Sequence, residues 1–319
     1  MAAANVVPLL LSLFALLGVG LALRAFKVLP ASATDVINLL IVDVTMPALI
    51  VQTLRRASFD ARMGPAVAAV AAALLVSLAV SVLVTRAFGL SRKVQGAAGL
   101  VGGFSNTGFL GLPFVLSLYP SRPQAAATAV VIDAVVTTTL LWTLGVGFAS
   151  WMSGAPRVDE PRSRRLWRTV RKLVVKPLVL AVMLGALLSV TGAELPGFVD
   201  AALDRAGEAT AALVFLSLGM SLDVAAVRGR VLALASISVV KLLLAPLVAL
   251  GVVLALGVSG EIGEVAVLQA AMPTAMVSAI IAYTYGCDRG FAAGTAVTTT
   301  LGSLVSLPVV VVVLERVGL

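Results

Sequence analysis

Apolar residues occupy most of the chain in long runs, and short polar or basic stretches separate these runs. A helix that crosses a bilayer needs about 20 apolar residues, so the pattern predicts about ten membrane-spanning helices. The predicted spans are residues 6–25, 34–54, 64–87, 95–118, 124–151, 173–191, 200–221, 231–256, 262–286 and 290–313. In lipid, backbone polar groups need partners within their own segment, which helices provide. We therefore expect an all-α membrane protein.

Composition supports this class and excludes several kinds of chemistry. Hydrophobic residues make up 60% of the chain, charged residues 12%, and the mean hydropathy is +1.10. A soluble domain is about half apolar and about a quarter charged. The chain has no His and a single Cys, Cys287. Those counts argue against a His-ligated zinc site, a Cys cluster or a disulfide framework, so we predict neither a metal nor a cofactor.

The net charge of +8 is better explained by membrane orientation than by nucleic-acid binding, because the basic residues flank apolar runs and aromatic residues are few. Most Lys and Arg residues follow spans 1, 3, 5, 7 and 9. The positive-inside rule then places both termini on the extracytoplasmic side of an inner or plasma membrane. The lipid bilayer is the expected environment, and no nucleic-acid partner is expected.

A basic linker at about 152–172 divides the chain into residues 1–151 and 173–319, with five predicted spans in each. An odd number of crossings makes the second half enter the membrane from the opposite side. The two halves are thus predicted to be inverted five-helix repeats. The linker itself is interpreted either as an orientation signal or as a surface helix on anionic lipid.

The two halves also share a local pattern at a shift of 167 residues, which places Thr128 over Thr295 and residues 105–107 over residues 272–274. Both of the latter triplets interrupt an apolar run. Broken helices at matching places in two halves point to a transport site. Isolated Gly and Pro kinks are also common in membrane helices, and that interpretation stays open.

Candidate binding residues cluster at these interruptions. In span 4, Asn106 and Thr107 offer polar groups, glycines allow close backbone approach, and Pro113 disrupts the helix ladder at Phe109. In span 9, Pro273 disrupts the bond to the Gln269 carbonyl. If the breaks meet, exposed N–H groups of half-helix N-termini favour an anion. The predicted substrate-binding residues are Ser105, Asn106, Thr107, Gly108, Gly111, Pro113, Gln269, Met272, Pro273, Thr274 and Ser278.

Three ionisable residues, Asp43, Asp133 and Lys241, fall inside predicted spans. A charge at the membrane centre costs about 2.5–3.5 kcal/mol on insertion scales, so each needs a partner or water. One hypothesis makes either Asp a proton-coupling or sodium-coupling carboxylate, and another makes Lys241 the counter-ion of an anionic substrate. The alternative is a buried Asp–Lys charge pair that holds helices together.

The sequence of residues 105–113, Ser-Asn-Thr-Gly-Phe-Leu-Gly-Leu-Pro, resembles the fourth-span motif of the auxin efflux carrier family. Residues 270–275 and 285–288 are similar to its ninth-span motif. The resemblance implies ten helices in two inverted repeats, with broken helices 4 and 9 that cross, and substrate at the crossing between Asn106–Pro113 and Pro273. It also implies a scaffold part and a transport part. The short central loop suits a bacterial-type member that carries small organic acids such as malonate or malate.

The leading hypothesis is a secondary active transporter, an efflux carrier of small carboxylates that works by alternating access. Asn106 and Thr107 would donate to the carboxylate, with Gln269, Thr274 and Ser278 opposite. A passive anion channel and a membrane-embedded transferase are the alternatives, although none of the predicted loops carries the Asp-x-x-x-Asp motif that a transferase would need. Assembly as a homodimer is left open.

Overall fold

The computed structural model describes residues 3–30, 32–56, 60–120, 122–154, 177–222 and 230–319. Within these ranges the chain is helical, and its β structure is limited to one isolated bridge. The helices are α1 (Ala3–Ala25), α2 (Ala33–Arg55), α3 (Met63–Ala87), α4 (Arg92–Gly103), α5 (Thr107–Leu118), α6 (Pro123–Ser153), α7 (Pro177–Thr191), α8 (Gly197–Ser221), α9 (Val231–Ala255), α10 (Glu261–Ala271), α11 (Met276–Thr284) and α12 (Arg289–Val317). Most of the basic linker lies outside the described residues.

Helices of membrane-spanning character make up much of this structure. In the described ranges, 5 helices are long and apolar enough to cross a membrane, namely α2, α3, α6, α9 and α12. Shorter apolar helices include α5, α7 and the Leu11–Ala25 part of α1. This is the architecture of a multi-pass, all-helical membrane protein.

The two predicted spans that contain the unusual motifs are each divided into two helices. Span 4 is α4 followed by α5, and span 9 is α10 followed by α11. In span 4 the backbone is extended at Phe104 (φ −82°, ψ 119°), so the helix ends before Asn106 and not at Pro113. In span 9 it is extended at Met272, directly before Pro273, where a proline disfavours helical geometry.

Three prolines follow wide π-helical turns and not breaks, whereas Pro8 in α1 and Pro308 in α12 lie within regular α-helix. The turn Thr107–Gly111 precedes Pro113, Ile41–Thr45 precedes Pro47, and Val240–Leu244 precedes Pro246. A proline lacks the N–H that would continue the ladder and crowds the carbonyl four residues earlier. A locally widened turn relieves that conflict, and such turns are frequent at functional sites.

The helices pack in two groups. The first group, which we call the four-helix group, contains α1 against α8 and α2 against α7 and α8. The second, the central group, contains α3 to α6 and α9 to α12, with α3 against α4 and α9 against α3 and α10. Each group therefore draws helices from both halves of the chain. Fewer contacts join α2 to α6 and α1 to α12.

Candidate functional site

The two helix breaks lie against each other in the central group. The Asn106 backbone N–H donates to the Pro273 carbonyl at 2.8 Å, and the Ala275 N–H donates to the Phe104 carbonyl at 2.9 Å. These bonds form an antiparallel bridge between Ser105 and Thr274. The backbone groups freed by each break are thus satisfied by the other break, as burial away from water demands.

Side-chain hydroxyls reinforce this pairing in a reciprocal way. The Ser105 hydroxyl, in the first break, lies 3.2 Å from the Ala270 carbonyl in the last turn of α10. The Thr274 hydroxyl, in the second break, donates to the Val101 carbonyl in the last turn of α4 at 2.7 Å. Carbonyls in a last turn have no partner in their own helix. The hydroxyl of the first break therefore caps the C-terminal end of α10, and the hydroxyl of the second break caps the C-terminal end of α4.

Lys241 reaches the same point from α9. Its ammonium donates to the Ser105 hydroxyl at 2.6 Å and to the Ala270 carbonyl at 3.3 Å. The side chain is 0% exposed. A cation placed at the C-terminal end of α10 is stabilised by the negative end of that helix dipole.

Asp133 lies beside the N-terminal end of α5, whereas Lys241 lies at the C-terminal end of α10. Its carboxylate accepts a hydrogen bond from the Thr107 hydroxyl at 2.5 Å, and the Thr137 hydroxyl is 2.6 Å from that of Thr107. A Cβ added at Gly108 would come within 2.9 Å of both carboxylate oxygens. Glycine is therefore what allows α5 to approach the carboxylate, which complements the positive end of that helix.

Asp43, Asp133 and Lys241 all lie in π-helical turns, but they do not form a charge pair with one another. Asp133 bonds to Thr107, and Lys241 bonds to Ser105 and Ala270. Asp43 is exposed on α2 and makes no hydrogen bond or ion pair with any described residue. The N-terminal end of α5 compensates the Asp133 carboxylate, and the C-terminal end of α10 compensates the Lys241 ammonium. Asp133 and Lys241 do not contact each other.

Asn106 has a free amide. The residue is 5% exposed, and within the described ranges its side chain forms no hydrogen bond, although its backbone N–H and carbonyl are both engaged. Neither polar atom of this amide is among the fully buried, unpartnered atoms of the described residues, so both keep some surface that water or a ligand can reach. A polar ligand at the break would satisfy it.

The remaining predicted residues are distributed around the breaks. Gln269 is fully buried, its Nε2 lies 3.5 Å from the Ala129 carbonyl, and its Oε1 has no partner among the described residues. A Cβ at Gly111 would overlap that Oε1 atom. The Ser278 hydroxyl donates within its own helix end, to Ala275, at 2.6 Å. Met272 is fully buried in the second break.

Pro113 lies away from the breaks, in the wall of a cavity of about 610 Å³ between the four-helix group and the central group. Other lining residues are Leu49, Gln52, Arg56, Leu116, Ser117, Tyr119, Arg122, Leu203, Asp204, Gly207 and Glu208. Six residues of α5, residues 107–112, separate Pro113 from Asn106, so the two lie about two helical turns apart. The cavity and the first break therefore lie at different points along this segment, and no residue of the breaks lines the cavity.

Ion pairs and polar contacts surround the cavity mouth. Arg56 pairs with Asp204 at 2.8 Å, and the Tyr119 hydroxyl donates to Glu264 at 2.5 Å. Burial, with the hydrogen bond to Glu264, raises the pKa of Tyr119. In the neighbouring loop, the hydrogen-bonded Arg62 guanidinium holds the pKa of Asp60 at about 2.

Sequence reasoning missed two hydroxyl residues of this site. Thr137 follows Asp133 by four residues, a spacing that places both on one helix face and was available as a signal. Thr299 of α12 accepts from the Thr274 N–H at 3.3 Å, and no local pattern indicates that contact. The described residues contain no group of three or more side chains of the metal-ligating kind.

Comparison with known proteins gives one family. Residues 5–311 match the family described as membrane transport protein. The chain is similar to an uncharacterized transporter of Methanothermobacter thermautotrophicus, with 29% identity over 310 residues that cover 95% of this chain and 97% of the relative. It is also similar to an uncharacterized transporter of Methanocaldococcus jannaschii, with 25% identity over 295 residues, which are 90% and 92% of the two chains.

These matches confirm the resemblance found in the sequence motifs, and they identify a family of transporters and not of enzymes. They also agree with the multi-pass helical architecture. The chain therefore belongs to the membrane transport protein family, the family of the auxin efflux carriers.

Proposed function

We propose that the protein is a secondary active transporter that exports small carboxylate anions, with the substrate bound where the two broken helices meet. The observation that carries the proposal is the side-chain amide of Asn106, which lies at that meeting point on a residue only 5% exposed and has no hydrogen-bond partner among the described residues. Transporters with discontinuous helices bind substrate at such points, with half-helix N-termini directed at anionic groups.

The proposed architecture is ten membrane helices in two inverted repeats, with broken helices 4 and 9 that cross. Two observations support it. The breaks occur at residues that the 167-residue shift superimposes, and each packing group takes helices from both halves of the chain. The four-helix group would act as scaffold, and the central group would move against it.

In the proposed complex, the Asn106 amide donates to the substrate carboxylate together with N–H groups of the first turn of α5. Thr107 contributes once its hydroxyl leaves Asp133. Thr274 and Ser278 line the opposite side through the second break. Gln269 and Gly111 would lie next to the space that the substrate occupies. Because these two residues pack closely against each other, that space would admit only small anions.

Asp133 is the proposed coupling group, and the coupling ion is a proton. A substrate carboxylate beside Asn106 would come close to the Asp133 carboxylate at the start of α5. Two carboxylates that share a site do not both remain charged. Binding of the anion would therefore favour a neutral Asp133, and transport would move a proton with the substrate. Export would then be driven by the outward gradient of the substrate, which carries the proton out with it.

Access would alternate between the two sides of the membrane. The cavity between the packing groups lies at the side of Arg56, Tyr119 and Arg122, which the positive-inside rule predicts to be the extracytoplasmic side. In this arrangement the described conformation is the one open to that face. Closure of the cavity, with opening at the basic face, would complete the cycle.

Counterflow in proteoliposomes tests the proposal. Vesicles containing the purified protein are loaded with unlabelled malonate or malate, and entry of the labelled acid from outside is measured. A carrier accelerates labelled entry transiently and saturates as the concentration rises. A linear flux without counterflow would favour a passive anion channel, and the absence of any flux across a panel of small mono- and dicarboxylates would overturn the carboxylate assignment.

A further inference from the structure

Lys241 is buried to an unusual degree for a cation. Of the Lys and Arg side chains that the structure describes, it alone is 0% exposed. It lies in the π-helical turn Val240–Leu244, in the middle of α9, and none of the described ion pairs includes it. Such a charge needs compensation from its surroundings.

Two oxygen atoms provide that compensation. One is the Ser105 hydroxyl at 2.6 Å, which belongs to the break between α4 and α5. The other is the Ala270 carbonyl at 3.3 Å, in the last turn of α10, where a carbonyl has no partner in its own helix. These two acceptors also lie 3.2 Å from each other. The ammonium therefore completes a small triangle that joins three separate helices.

The chemistry of this triangle is that of a monovalent-cation site. Unwound backbone carbonyls and the C-terminal ends of half-helices are the groups that coordinate sodium in transporters with broken helices. Here a carbonyl at the C-terminal end of α10 and the Ser105 hydroxyl in the first break contact an ammonium that α9 supplies. Sodium and ammonium carry the same charge, and both are attracted by the negative end of the α10 dipole.

We propose that Lys241 is a tethered cation, whose ammonium permanently fills a position at the helix breaks that a coupling sodium ion would otherwise take. The two breaks then keep their mutual geometry without any ion from solution. The inference goes beyond the proposed function, because it predicts that neither folding nor transport depends on sodium. It rests on the three contacts of the triangle and not on the identity of the substrate.

Chemical rescue of Lys241→Ala tests the inference without any substrate. The substitution removes three methylene groups and the ammonium, which n-propylammonium can replace. Thermal unfolding of the purified protein is followed in choline chloride while n-propylammonium chloride or sodium chloride is added. The controls are propanol, which has the shape without the charge, tetramethylammonium, which has the charge without N–H donors, and the exposed-site variant Lys93→Ala.

We expect the Tm of the wild-type protein to be equal in choline and sodium. For Lys241→Ala the Tm should be lower by about 5 °C or more, and n-propylammonium should restore at least about half of the loss with saturation. Propanol and tetramethylammonium should have no such effect. A Tm of Lys241→Ala that equals the wild type, or one that no small cation raises, would overturn the proposal. A saturable effect of sodium on the wild-type protein would also overturn it.

Lys241→Met keeps the proposal testable if Lys241→Ala does not fold. Methionine fills most of the same volume without charge, so the protein should insert, yet lose at least about tenfold in transport rate, with no rescue by n-propylammonium. Wild-type transport by Lys241→Met would show that no cation is needed there. Rescue of the Tm in Lys241→Ala together with failed counterflow would refute the proposed substrate class and leave the tethered cation intact.

Discussion

The hydroxyl of Thr274 donates a hydrogen bond of 2.7 Å to the carbonyl oxygen of Val101, from the break of one helix to the last turn of another. Val101 precedes Thr274 by 173 positions. The Thr274 side chain is 1% exposed, so water cannot replace this bond. The contact thus links the two halves of the chain at the point where each has lost helical hydrogen bonds.

Thr274→Val should therefore lower the free energy of unfolding by about 0.5–2 kcal/mol, because the Val101 carbonyl loses its donor while the side-chain volume is retained. Unfolding by sodium dodecyl sulfate in mixed micelles measures this change. The matched control is Thr143→Val, which removes an exposed hydroxyl bonded within its own helix. Equal stabilities of the two variants would contradict the assigned importance of the contact.

Asn106→Ala should abolish counterflow while the protein still inserts and unfolds at a Tm close to that of the wild type. The reason is that the amide has no partner among the described residues, so its removal deletes a ligand contact and not an internal one. Asn38→Ala is the control, since the Asn38 side chain already accepts a bond of 2.6 Å from Ser217. Wild-type flux and affinity in Asn106→Ala would remove Asn106 from the site.

Asp133→Asn should flatten the pH profile of transport between about pH 5 and 8, because the amide retains a hydrogen-bond acceptor for Thr107 but cannot take up a proton. Initial rates at a series of pH values, with sodium and with choline, measure this. Asp43→Asn should keep the wild-type profile, since Asp43 is exposed and lacks a described partner. If the Asp133→Asn profile keeps its pH dependence, Asp133 has a structural role only.

Gly111→Ala should destabilise the protein by about 1–3 kcal/mol, because the added Cβ overlaps the Gln269 Oε1 atom in a buried contact. Combining it with Gln269→Ala should recover part of that loss, which a double-mutant cycle measures. Gly147→Ala is the matched control, since no atom lies within 4 Å of the added Cβ. Additive losses in the double variant would refute the contact.

Cys287, the single cysteine of the chain, should react slowly with maleimides at neutral pH. Burial raises the pKa of its thiol to about 11, and the carboxylate of Asp288 acts in the same direction. Only the thiolate reacts, so alkylation at about pH 8 should be roughly a hundredfold slower than for a free thiol and should accelerate as pH rises. Ser91→Cys in a Cys287→Ser background provides an exposed control. Comparable rates at the two positions would contradict the burial of Cys287.

The helix breaks were predictable because glycine, proline and polar residues interrupt two apolar runs at equivalent places. Their positions were harder to predict. Pro113 suggested a disruption at Phe109, whereas the chain leaves the helix at Phe104 and Pro113 follows a π-helical turn. A wider turn provides the space that the proline ring needs, and no local pattern distinguishes that solution from a break.

The partners of the buried charges were not predictable from spacing. The acceptors of Lys241 are a hydroxyl 136 positions away and a carbonyl that is free only because α10 ends nearby. Composition suggested an Asp–Lys pair, since opposite charges in lipid attract. In the structure, the N-terminal end of α5 and the C-terminal end of α10 compensate these charges instead. The sequence alone does not show where those two helix ends lie relative to the charged side chains.

The antiparallel bridge between Ser105 and Thr274 has a mechanical consequence. Two backbone bonds and two hydroxyl bonds fasten four half-helices to one another, so a tilt of either broken helix carries the other along. In the proposed transport cycle, an anion would therefore not be released by the movement of a single half-helix. The proposed cycle would have to move all four half-helices together, and a cross-link between them and the surrounding helices would block access from both sides of the membrane.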